Sequence, residues 1–296
     1  MKTSEELKDI VREQYSKIAT QDKGDNAASC CGATPTSNKV YNIMMEDYTE
    51  IEGYNADADL GLGCGLPTQF AKINIGDTVI DLGSGAGNDC FVARHETGES
   101  GKVIGIDFTD AMINKARINA DKMGYNNVEF RFGDIDNMPI ADNTADVIVS
   151  NCVLNLVPDK EKVIKEIYRT LKPGGHFSIS DIVLVGELPD GLREDAEMYA
   201  GCVAGAVQKE EYLGYIETLG FDNITIQKEK VISIPDDILS KYLSPEELTQ
   251  VHEKSIGIFS ITVYADKPGE KSNEHLTELT STTEEAPCCE PNTKCC

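Results

Sequence analysis

The residues of this 296-residue chain that could do chemistry are ten cysteines and one glycine-rich loop. Cys30 and Cys31, Cys288 and Cys289, and Cys295 and Cys296 are adjacent pairs near the two ends, whereas Cys64, Cys90, Cys152 and Cys202 are single and spread through the body. No apolar leader of the secretory kind opens the chain, so these are read as thiols or soft-element ligands rather than as a disulfide framework. Cys64 lies in Gly63-Cys64-Gly65 and Cys202 in Gly201-Cys202-Val203-Ala204-Gly205, settings that suit an exposed thiol approached by a ligand. Cys90, beside Phe91 and Val92, reads as a small buried hydrophobe. For Cys152, in Ser150-Asn151-Cys152, either role fits. Three lone thiols without a close pair do not suggest structural zinc, but they suit a soft, three-coordinate thiophile.

The loop is Asp81-Leu82-Gly83-Ser84-Gly85-Ala86-Gly87. A dinucleotide fingerprint would require glycine at position 88, where Asn88 stands, which argues against a nicotinamide enzyme. The glycines let backbone approach a ligand closely. A carboxylate at Asp81 would repel a pyrophosphate and pair with an ammonium group, so the ligand favoured is a nucleoside with a cationic amino-acid arm. Asp107 falls where an acid can accept ribose hydroxyls, and Asp134, in Gly133-Asp134-Ile135, where one can accept from an adenine amino group. Any one of these acids could be a mere cap or turn former. Three at successive strand ends, around one glycine loop, point to a binding site.

The elements that must position these groups follow from periodicity. Apolar runs at 77–84, 102–108, 128–134, 145–151 and 176–185 read as strands, with helices from 88, over 110–123 and over 159–171 between them. Strands apolar on both faces, alternating with helices, specify an α/β, doubly wound, mostly parallel sheet of the Rossmann-like kind. In such a sheet ligands lie beyond the carboxyl ends of the strands at the switch point, so Cys152, at the end of the fourth strand, is expected to face the reacting group. An N-terminal helix at 4–19 precedes the sheet, and a smaller α+β region follows it, with a helix near 208–219 and strands near 223–234 and 258–267. The expected organisation is 1–76, an N-terminal helix with cysteine-bearing loops; 77–186, the cofactor-binding core; 187–267, a substrate region; and 268–296, a disordered tail. The tail sequence CCEPNTKCC could collect soft metals or arsenic, or could be a solvated end.

Lys and Arg number 27 against 51 Asp and Glu, a net charge of −24 that disfavours nucleic acid and anionic membrane as partners. No apolar run approaches the ~18 residues of a membrane helix, so a cytoplasmic protein is expected.

Over about residues 77–185 the array resembles class I methyltransferases that use S-adenosylmethionine. With NADADLGLGCGLP, VIDLGSGAGNDCF, SNCVLNLVPDKEKVIKEIYRTLKPGG and AGCVAGA, the chain is similar to the arsenite methyltransferase family over about residues 5–266. The resemblance implies that Cys64, Cys152 and Cys202 bind trivalent arsenic. It also implies a further N-terminal cysteine in thiol–disulfide cycling, for which Cys30 and Cys31 both qualify. The expected cofactor set is Asp81, Gly83, Ser84, Gly85, Gly87, Asp107, Phe108, Met112, Asp134, Ile135 and Asn151. Arsenite and methylated trivalent arsenic are the implied substrates, with thioredoxin or glutathione as thiol reductant and thioredoxin as a partner. Because arsenite is uncharged near neutral pH, the net charge does not exclude it. Arsenic carries no proton to remove, so no general base is needed, and His95 and His176 show no obvious partner. The rivals are a methyltransferase for a small organic acceptor and a non-catalytic thiol buffer for arsenic or soft metals.

Overall fold

The computed structural model describes residues 3–21, 46–186, 205–232, 236–240, 243–246, 248–249 and 257–269. Helix α1 (Ser4–Ile18) opens on a capping box, in which the Thr3 hydroxyl accepts from the Glu6 N–H and the Glu6 carboxylate accepts from the Thr3 N–H. After the turns of 49–66 comes one helical turn, α2 (Pro67–Phe70), and then the alternating units: β1 (Thr78–Leu82), α3 (Asn88–Thr97), β2 (Lys102–Asp107), α4 (Asp110–Met123) and β3 (Val128–Phe132). These are followed by β4 (Ala145–Asn151), α5 (Lys160–Thr170), β5 (Leu171–Val185), α6 (Lys209–Thr218), β6 (Asp222–Ile232), α7 (Asp236–Leu239) and β7 (Gly257–Asp266).

The sheet has seven strands in the order β3-β2-β1-β4-β5-β7-β6. β1 to β5 are parallel, and β7 runs antiparallel between β5 and β6. The α+β stretch formed by α6, β6 and β7 therefore joins the main sheet through β7. The fifth strand begins earlier than its apolar run: β5 takes in Leu171 and the Pro173-Gly174-Gly175 turn, with a register shift against β4 between Ala145 and Val147. Alternating residues divide the core between two faces. One face packs Ile80, Leu82, Ile148 and Phe177 against α5 and α6 residues such as Ile164 and Ile216. The other packs Val79, Val103 and Val149 against Phe91 and Met112 from α3 and α4. Continuous burial of β1, β2 and β4 is what a parallel sheet covered on both sides requires. The winding reverses between β1 and β4, and the carboxyl ends of those two strands carry the glycine loop and Cys152.

Among the described residues no helix is long and apolar enough to cross a membrane. Cys30, Cys31, Cys202 and the tail cysteines lie outside the described residues.

Candidate active site

A cleft lies at this switch point. Asp81, Gly83, Ser84, Gly85, Asp107, Phe108, Asp134, Ile135, Asn151 and Cys152 all line it, so most of the sequence-expected cofactor set converges on one space. Gly87 and Met112 do not. Gly87 is the N-cap of α3 in the left-handed region at φ 99°, packed against Phe91 and Phe130, and Met112 is fully buried under the sheet. Both shape the walls from behind. Asp107 ties the loop to β2: its carboxylate accepts the Gly85 N–H at 3.0 Å and the Thr109 N–H at 2.8 Å.

Asp134 carries a partner that sequence reasoning missed. Lys8 of α1 donates to Asp134 at 2.6 Å and to Asp136 at 2.8 Å, which pins the N-terminal helix to the end of β3. Burial lowers the Lys8 pKa, but the two carboxylates outweigh it and the net shift is upward. Val11 and Tyr15 follow Lys8 along the same helix and complete one wall of the cleft. The 126 positions between Lys8 and Asp134 leave no local signal for this contact.

The charge pattern at the loop suits a cationic ligand. Asp81 is 2% exposed and Asp89 is 8% exposed. Burial pushes the Asp81 carboxyl well above its usual range, and the charges of Asp89 and Asp107 push it further. The Asp89 carboxyl is held at about 6, raised by burial and drawn back by hydrogen bonds from Tyr48 and Asn151. Two neighbouring buried acids are destabilised as anions until a positive group joins them. Ser84 Oγ and Asn88 Oδ1, on the same wall, are buried without a hydrogen-bond partner among the described residues. The backbone at Gly85 (φ 52°) opens onto space that a side chain would fill. Unpaired polar atoms, buried acids and a close backbone approach together fit S-adenosylmethionine. Cys90 is buried, but it is more than a hydrophobe: its thiol donates to Asp81 at 3.2 Å, and burial beside that acid raises its pKa.

The thiol end differs from expectation in one respect. Cys64 is 1% exposed, so the glycines around it do not leave it open to solvent. They let the loop lie flat. A Cβ at Gly63 would meet the Asn151 amide at 2.5 Å, and one at Gly65 would meet Ser180 Oγ at 2.4 Å. Cys64 packs in one apolar cluster with Cys152, Ile182, Leu184 and Ile258. Cys152 lines the cleft at 4% exposure and takes φ 62°, a left-handed conformation that costs a non-glycine residue about 1–2 kcal/mol and that clusters at functional sites. Its N–H donates to Ser180 O at 2.8 Å. Both core histidines, which lacked an obvious partner in the sequence, have one: His95 Nε2 lies 2.9 Å from Glu52, and His176 Nε2 lies 2.6 Å from Ala71 O. Neither lines the cleft.

The fold and this cleft define an S-adenosylmethionine-dependent class I methyltransferase, and a methyltransferase domain family model matches residues 73–220. The chain is 39% identical to an arsenite methyltransferase of Halobacterium salinarum over 89% of this chain and 67% of that relative. It is 33% identical to an arsenite methyltransferase of Aquipseudomonas alcaligenes over 80% of this chain and 68% of the relative. Its fold is similar to the crystal structure of an arsenic(III) S-adenosylmethionine methyltransferase from Chlamydomonas reinhardtii, with TM-score 0.60 and 32% identity over 75% of this chain and 71% of that one. The chain belongs to the arsenite methyltransferase family.

Proposed function

We propose that this enzyme methylates trivalent arsenic held by the thiols of Cys64, Cys152 and Cys202, with Asp81, Ser84, Gly85, Asp107 and Asn151 among the residues that hold S-adenosylmethionine. The observation that carries this reading is the meeting of Cys64 and Cys152 in one apolar cluster beside the acid-lined cleft. Their loops are joined directly: Asn151 accepts from the Cys64 N–H across 87 positions of sequence. S-adenosylmethionine supplies an electrophilic methyl group. Each thiol displaces one arsenic hydroxyl: a sulfur–arsenic bond forms, the oxygen leaves with the thiol proton as water, and the arsenic lone pair remains as nucleophile. The protein's contribution is alignment, worth up to roughly 7–11 kcal/mol when geometry is good. The buried, apolar setting of Cys64 and Cys152 suits this exchange, because uncharged arsenite enters it without a charge to desolvate.

Methylation leaves pentavalent arsenic, and a further round needs two electrons from thiols. Cys30 or Cys31, with thioredoxin or glutathione as external reductant, are our candidates for that step. The test is arsenic speciation after incubation of the purified protein with labelled S-adenosylmethionine, arsenite and a thiol reductant. Methylated arsenic that requires both substrates, and that is lost in Cys64→Ser, is expected. Full methylation by Cys64→Ser would overturn the three-thiol reading.

A further inference from the structure

One buried hydrogen-bond chain spans the two halves of the site, and the methyl transfer as derived above uses only its last link, from Asn151 to the Cys64 N–H. Its first member is Asp89, which lines the cleft next to Asp81. Tyr48 is 5% exposed, and its hydroxyl donates to the Asp89 carboxylate at 2.9 Å. Asn151 Nδ2 donates to the Tyr48 hydroxyl at 2.6 Å and to Gly65 O at 2.8 Å, with Asp89 Oδ2 at 3.2 Å. Asn151 Oδ1 in turn accepts from the N–H groups of Cys64 and Gly65, at 3.0 and 3.2 Å. The amide of one side chain therefore grips the backbone on both sides of the Cys64 thiol, and the glycine at position 63 is what allows it that close. The far side of the same loop is fixed to the sheet, where Ser260 Oγ donates to Cys64 O at 2.6 Å. Asn151 is also covalently next to Cys152, so a shift of the Asn151 amide moves both thiols together.

We propose that Tyr48 and Asn151 are positioning residues that tie the placement of the Cys64 thiol to the occupant of the cofactor cleft. A cation beside Asp89 stabilises its anionic form, and the anion is a stronger acceptor for the Tyr48 hydroxyl. A Tyr48 hydroxyl committed to Asp89 leaves its oxygen lone pairs to Asn151 Nδ2, which fixes the amide orientation and with it the Oδ1 that accepts from both N–H groups of the thiol loop. Rigidifying one end through shared hydrogen bonds lowers the cost of ordering the other, and the coupling is reciprocal. This rests on the reading of Cys64 as an arsenic thiol.

The experiment measures the sodium arsenite concentration that half-protects Cys64 and Cys152 from alkylation. It is resolved peptide by peptide in the mass spectrometer so that other cysteines do not contribute, with and without saturating S-adenosylhomocysteine. In the wild type the cofactor product should lower that concentration by about fivefold or more. In Tyr48→Phe the ratio should fall to within about twofold of one, while Tyr264→Phe, which removes a tyrosine–aspartate hydrogen bond at the other end of the sheet, should keep the wild-type ratio. If thermal unfolding shows that Tyr48→Phe is not folded, Asn151→Ser reads the same coupling from the thiol end. A wild-type ratio near one, an undiminished ratio in Tyr48→Phe, or an equal loss in Tyr264→Phe would each overturn the proposal. If Cys64→Ser leaves arsenite protection of Cys152 unchanged, the arsenic-thiol reading has failed. If Cys64→Ser loses that protection but Tyr48→Phe keeps the ratio, only the coupling has failed.

Discussion

The cofactor end and the thiol end of this cleft are built on opposite principles. The cofactor end is polar and electrostatically strained: Asp81 and Asp89 sit buried within nine residues of one another in sequence, both with raised pKa values. The thiol end is apolar, assembled from distant segments and held by hydrogen bonds between the Asn151 and Ser260 side chains and the Cys64 backbone. The difference teaches where selectivity arises. A cation relieves the first end, so binding there responds to charge and pH. On the proposed reading the second end favours a neutral, soft centre, so it should respond to sulfur and geometry.

The largest expected effect breaks the thiol end alone. Cys152→Ser should lower arsenite methylation by on the order of 100-fold or more, the scale of a misplaced reacting centre, while S-adenosylmethionine affinity by calorimetry changes little. Parallel losses of both would show that the two ends are not separable. Cys202→Ser is expected to behave in the same way.

Asp81→Asn breaks the other end. The S-adenosylmethionine Kd should rise roughly 10- to 100-fold, as for loss of a hydrogen bond to a charged group. The same substitution should stabilise the ligand-free protein. The folded-state pKa of Asp81 lies above its usual 3.8, so the anion is disfavoured by folding. Below that value both states are protonated and the substitution is neutral, and as pH rises the buried charge costs stability that Asn avoids. Melting temperatures should therefore diverge towards pH 8 and converge near pH 4. By the same linkage, S-adenosylmethionine should bind more tightly as pH rises and release protons on binding; a pH-independent Kd would remove the Asp81 assignment.

A smaller effect tests the wall that α1 provides. Lys8 and its two acids are mostly shielded, with side-chain exposures of 17%, 30% and 12%. Lys8→Ala should weaken S-adenosylmethionine by roughly two- to fivefold, about 0.5–1 kcal/mol, and speed its exchange in stopped flow. Unchanged exchange would mean that α1 does not gate the cofactor. Smallest of all, truncation after residue 268 should leave turnover at saturating arsenite within error, and a collapse would give the tail cysteines a catalytic part.

Much of the cofactor end was legible because its signals are local. Asp81, the glycine spacing and Asn88 lie in one short run, and the acids at 107 and 134 follow strands whose apolar character is readable by eye. Helix α4 matches its expected span, while the second and third strands end one and two residues earlier than their apolar runs. The thiol end was legible only as residue types. Flanking glycines suggested an exposed Cys64, yet they serve close packing against Asn151 and Ser180. Asp89 stood in plain view in the first turn of α3, and a second acid so near Asp81 was a local signal for a cationic ligand. Tyr48 had no such signal, because its partners are 41 and 103 positions away.

By itself the sequence determined the α/β order, the acid-ringed glycine loop and the presence of lone thiols, since periodicity, glycine spacing and turn chemistry act over a few residues. Tertiary structure alone decided that Cys64 is buried, that it shares a cluster with Cys152, and that Lys8 pairs with Asp134 in the cleft wall. Those outcomes depend on which distant surfaces exclude water together, and no short-range pattern encodes that.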